Sequence, residues 1–125
     1  MNTLVAHFFV VTKSHGKGTV GLYSVKIFDG RVEMVKINSR GDSNVPTGSV
    51  FDGRTFDIDI DMKINVGDTR TSKTVAFFDD LHDAMECFVS SDLRSLDCRW
   101  LLKTRAFIAD HLERTPGFRC SKKNY

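Results

Sequence analysis

Along the first half of the chain, apolar residues either alternate with polar ones or gather in short runs, the signature of extended structure. Thr3 to Thr12 is apolar in both alternating sets, with Leu4, Ala6, Phe8 and Val10 set against Val5, Phe9 and Val11. That pattern predicts an inner strand covered on both faces. A turn over Ser14 to Gly18 leads into a second run, Thr19 to Phe28, and Asp29-Gly30 offers the positive-φ chemistry of a two-residue hairpin before a third, Arg31 to Asn38. Residues 39–48, rich in Gly, Ser, Asn and Pro, read as a loop. Phe51-Asp52-Gly53-Arg54 then repeats Phe28-Asp29-Gly30-Arg31 word for word, which predicts a second hairpin using the same turn. From Phe56 to Val66 the alternation has no fault: Phe56, Ile58, Ile60, Met62, Ile64 and Val66 on one side, Asp57, Asp59, Asp61, Lys63 and Asn65 on the other. This predicts one long strand with a core face and a wet face. Lys73 to Phe78 adds a last short strand.

The period then changes. Leu81, Ala84, Met85 and Phe88 recur at helical spacing behind Asp79-Asp80, a good helix cap, and Leu93, Leu96, Trp100, Phe107, Ile108 and Leu112 mark a second, longer helix stopped by Pro116-Gly117. The expected fold is α+β: an antiparallel meander of about five strands followed by two C-terminal helices packed on one sheet face. Residues 1–117 form a single domain and residues 118–125 a basic flexible tail. Because two helices cover only one face, the doubly apolar first strand also predicts a homodimer.

A chain of 125 residues, 41% hydrophobic and 27% charged, holds one ordinary core and is neither disordered nor coiled coil. Its longest apolar run, Phe8 to Val11, is far shorter than the roughly 20 residues of a membrane span, and no secretory signal is visible. Three cysteines (Cys87, Cys98, Cys120) without a close-spaced pair argue for free thiols in a cytoplasmic protein and against a zinc site.

Charge changes the picture more. The formal net charge of +2 conceals a basic first third (residues 1–41), an acidic middle (42–97) and a basic end (98–125). In the middle, Asp57, Asp59 and Asp61 would stand about 6.5–7 Å apart on one strand face, where they repel, so that their grouping invites a compensating partner. With Lys63 they form the first candidate binding surface, directed at a protein partner. The basic end offers a second: Arg99, Lys103, Arg105, Arg114, Arg119, Lys122 and Lys123 suit nucleic-acid phosphates. Gly48-Ser49 ahead of Asp57-Ile58-Asp59 resembles the Gly-Ser and Asp-x-Asp elements of polymerase-β-type nucleotidyltransferases, which implies a magnesium-dependent transferase; the helix that family places between the two elements has no room here. His7, His15, His82 and His111 have no Cys, Ser or Asp partner at triad or metal-ligand spacing. Arg40-Gly41-Asp42 matches an adhesion tripeptide by chance.

The expectation is therefore a small, non-enzymatic binding protein of viral or mobile-element type, a regulator or inhibitor of a macromolecular partner, with no cofactor and no membrane. A nucleic-acid-binding module is the alternative, and a nucleotidyltransferase-like enzyme the third reading.

Overall fold

The computed structural model describes residues 3–14, 18–41, 43–90, 106, 110 and 118–120. The chain runs β1 (Leu4–Ser14), β2 (Thr19–Phe28), β3 (Arg31–Arg40), β4 (Val50–Gly53), β5 (Phe56–Ile58), β6 (Lys63–Val66), β7 (Thr69–Phe78), α1 (Leu81–Ser90) and β8 (Phe118–Cys120). The strands make one eight-stranded sheet in the order β4-β3-β2-β1-β7-β6-β5-β8. All neighbours are antiparallel except β8, which runs parallel to β5. The fold is thus mostly β, with more strands than the five expected and one helical element among the described residues. Of the second helix expected over Leu93 to Leu112, only residues 106 and 110 are described, each in helical conformation, and the rest lies outside the described residues.

β1 is an inner strand, as its two apolar faces require. Phe8 and Val10 enter one core with residues of β2, β3, β5, β6 and β7, while Val11 enters another with Val20, Leu22, Ala76 and Phe78. The second core is capped by α1, whose buried face is Ala84, Cys87 and Phe88. Asp80 caps that helix by accepting from the His82 amide at 2.7 Å, and Arg40 closes its far end, donating to the Phe88 carbonyl at 3.0 Å with its guanidinium over the Phe88 ring. Arg40 is therefore engaged in the fold.

No helix covers the first core; the sheet covers it by rolling up. In the strand order β6 is four places from β3, which in a flat sheet would separate them by about 19 Å. Instead β6 packs against both β3 and β4. Gly53 of β4 lies so close to the β6–β7 turn that a Cβ on it would stand 2.4 Å from the Gly67 nitrogen. Inside the roll, Phe8 meets Phe56 edge-on at 5.4 Å and Phe77 at 5.5 Å between ring centroids. Such pairs add about 0.5–1.5 kcal/mol each to the area they bury. This apolar face of β1 is thus packed within one chain.

Two further expectations fail for local reasons. The first Asp-Gly word makes the hairpin, with Phe28 paired to Arg31 and Gly30 at φ 78°. The second does not: Asp52 and Gly53 belong to β4, paired with Glu33 and Val32. There the glycine serves close approach to Gly67. Nor is Phe56 to Val66 one strand. Asp59 Oδ1 accepts from the amides of Asp61 (2.9 Å) and Lys63 (3.1 Å), Met62 turns at φ 62°, and the segment closes into a tight β5–β6 hairpin. Ile60, assigned by alternation to the core, is 74% exposed at its tip.

Candidate anion site at the edge of the roll

The broken strand redistributes the acidic row. Asp57 stays on β5, where its backbone is the register partner of Arg119 on β8 and Thr55 donates to its Oδ2 at 3.4 Å. Asp59 and Asp61 sit in the turn, and both pair with Arg70 of β7, at 2.9 and 3.2 Å. Burial alone would raise the Asp59 pKa, but the Lys63 amide, the Asn65 side chain, the Asp61 amide and Arg70 together hold it below the usual carboxylate value. These carboxylates do not form a continuous strand face, and two of the three share the single guanidinium of Arg70. The Asp-x-Asp pair of the nucleotidyltransferase resemblance is split the same way, between a strand and an Arg70-bound turn, and the segment between it and Gly48-Ser49 is strand β4. Of the basic set, Arg119 is on β8 and the other six residues lie outside the described residues.

A different charged row is assembled by strand pairing. Lys13 of β1 is the register partner of Lys73 of β7, and Lys73 is the register partner of Lys63 of β6. Directly paired residues share a sheet face, so the three lysines form a ladder across adjacent strands, continuing the face that holds Val11 and α1. Like charges directly opposite each other destabilise a sheet. The ladder lines a cleft of about 680 Å³ whose other walls include Arg70, Asp61, Ile60 and Ser72. Lys13 is almost wholly buried at 1% exposure.

Through Ser14, Arg70, Thr71 and Ser72 this cleft shares a wall with a smaller chamber of about 250 Å³. The chamber contains Lys36, 2% exposed, whose ammonium donates to Ser43 Oγ and to the Val45 carbonyl at 2.9 Å and lies 5.9 Å from the centre of the Tyr23 ring. No carboxylate pairs with Lys36 among the described residues. Loss of hydration lowers its pKa.

Sequence reading passed over Lys36, although the signal is present. In β3, Val32 and Met34 are the buried residues of the alternation and Lys36 is the next member of the same set. A lysine at a core-parity position calls for an explanation that a surface lysine does not. The ladder left no such signal, since register pairs residues far apart in the chain.

Among the described residues, no group of three His, Cys, Asp or Glu side chains is placed to hold a metal ion, and no helix is long and apolar enough to cross a membrane. Compared with protein-family models, curated proteins and solved structures, the chain matches none, so the reading of its site rests on geometry and chemistry alone.

Proposed function

We propose that this protein is a non-enzymatic binding protein whose macromolecular partner is a nucleic-acid strand, held through its phosphates in the lysine-lined cleft. The observation that carries this reading is the in-register ladder of Lys13, Lys73 and Lys63. Like charges set opposite one another cost a sheet stability, and an anion lying across Lys73 and Lys63 would offset that cost. Beside Asp61 and Ile60, the rest of the lining is Ser14, Arg70, Thr71 and Ser72, side-chain types that contact phosphate oxygens, and it holds no aromatic anchor of the kind protein interfaces concentrate. The earlier leading surface, the acidic row, lacks comparable support because Arg70 already occupies Asp59 and Asp61.

The test is fluorescence anisotropy with labelled single- and double-stranded oligonucleotides across a salt series. Binding should weaken linearly on a log–log plot, by about 0.7 per phosphate contact for a single strand and about 0.9 for a duplex. Absence of saturable binding at low salt, or affinity indifferent to salt, would overturn the proposal.

A further inference from the structure

The chamber behind the cleft has features the cleft does not. It is walled by Lys36, Tyr23, Thr12, Thr71 and Asn44, with Arg70 at the boundary it shares with the cleft. Its volume of about 250 Å³ lies below the roughly 300–1,000 Å³ of sites for drug-sized ligands, so it suits one small group. An ammonium has three donors, and Lys36 spends two on the neutral acceptors Ser43 and Val45. Tyr23 is 6% exposed and forms part of the chamber wall, its ring 5.9 Å from the Lys36 ammonium. Gly21 keeps the space open: a Cβ there would stand 3.0 Å from both Thr12 Oγ1 and the Tyr23 ring, and 3.5 Å from the Tyr23 hydroxyl. Buried cations are ordinarily paired with a counter-charge, and here the Lys36 ammonium borders a half-open space without a carboxylate in its described walls.

We infer that this chamber binds a phosphate monoester, the terminal phosphate of the strand lying in the adjoining cleft, with Lys36 and Tyr23 as its principal donors. The inference rests on the nucleic-acid reading for the source of the phosphate, and on the chamber's own geometry for the anion. Size favours a chain end: a half-open chamber of about 250 Å³ holds one phosphate group, which a strand end places there without the chain having to leave again on the far side, as an internal phosphodiester must. Charge agrees: a monoester carries close to two negative charges at neutral pH and three acceptor oxygens, suited to several converging donors. A carboxylate offers one charge and two oxygens.

Three arms separate the outcomes. Inorganic phosphate titrated into the whole protein, followed by calorimetry and by amide shifts of Lys36 and Tyr23, should bind saturably, with acetate at least about tenfold weaker, a difference of about 1.4 kcal/mol. Lys36→Met should abolish phosphate binding, and Tyr23→Phe, which keeps the ring packing, should weaken it several-fold; the second variant keeps the test informative if the first fails to fold. A short oligonucleotide with a 5′- or 3′-phosphate should then bind at least about tenfold more tightly than the same strand with hydroxyl ends, and Lys36→Met should erase that difference. If phosphate binds and no oligonucleotide does, the anion site stands and the nucleic-acid source fails. If oligonucleotides bind regardless of their ends and phosphate does not bind, the chamber proposal is overturned while the cleft proposal stands. Phosphate shifts that persist unchanged in both variants would mark the chamber as water-filled space and overturn it as well.

Discussion

Two charged rows, one in β5 and its turn and one running across β6, β7 and β1, meet opposite fates. The acidic row of Asp57, Asp59 and Asp61 is contiguous in sequence and conspicuous there, yet the fold uses it internally: Asp59 ties the β5–β6 turn together, and Arg70 bridges it to Asp61. The basic row of Lys13, Lys73 and Lys63 is scattered in sequence and inconspicuous, yet strand register aligns it along an open cleft. Arg70 belongs to both regions, since it pairs with the turn carboxylates while lining the cleft. The difference shows that a conspicuous run of charge in the sequence can be spent on holding a turn together. A like-charge pair created by register is the more informative kind, because the sheet forms at a cost there.

The comparison can be broken at several points. The largest stability effect is expected at Asp59. Asp59→Ala removes the acceptor for two turn amides and one partner of Arg70, and should cost about 1–3 kcal/mol in chemical denaturation. The pH dependence has a definite sign. Because the folded-state pKa of Asp59 is depressed, its contribution is full above the unfolded value of about 3.9 and is lost as pH falls through the lower folded value. The variant should therefore lack part of the wild-type's stability loss below about pH 4.

Lys36 gives the opposite sign. Its folded pKa is lowered by loss of hydration, so over the window between that value and the unfolded value of about 10.4 the unfolded chain binds more protons, and stability rises with pH. Lys36→Met should be more stable than wild-type near neutrality, and the gap should narrow in alkaline solution as the wild-type lysine deprotonates. Thermal unfolding of both proteins across the alkaline range checks this, with Tyr23, whose pKa burial raises, as the neighbouring group that also titrates there and Arg70 as a fixed positive charge on the chamber wall.

Relieving the ladder should also stabilise. Lys63→Gln with Lys73→Gln removes both directly opposed like-charge pairs, Lys13–Lys73 and Lys73–Lys63, and should raise stability by about 0.2–1 kcal/mol for each, most visibly at low salt. The smallest effect is expected at the hairpin tip, where Ile60→Asn should fall within about 0.5 kcal/mol of wild-type, because the side chain is exposed. A loss of several kcal/mol there would restore Ile60 to the core and the segment to an unbroken strand.

Much of the architecture was legible because it follows from local chemistry. Two-faced apolarity placed β1 inside the sheet, Asp29-Gly30 made its hairpin, and the Asp80 cap with helical spacing located α1. What failed was decided by partners distant in sequence. The repeated Asp52-Gly53 became strand because β4 pairs with β3 and its glycine meets Gly67. The alternation from Phe56 to Val66 survives in the burial of Ile58, Met62 and Ile64 but hides a turn, since Asp59 offers the backbone a competing acceptor. The roll of the sheet, and with it the chamber around Lys36, depends on curvature that no period in the sequence encodes.

The central claim, that the basic ladder and not the acidic hairpin is the recognition surface, is tested most directly by the salt dependence of oligonucleotide binding in Lys63→Gln/Lys73→Gln beside Asp61→Asn. The account predicts that the lysine variant loses about 1.4 from the log–log slope for a single strand, two contacts at about 0.7 each. Asp61→Asn should keep the slope or steepen it, as Arg70 is released toward the cleft. An unchanged slope in the lysine variant, with binding lost in Asp61→Asn, would contradict the account and return the site to the acidic row.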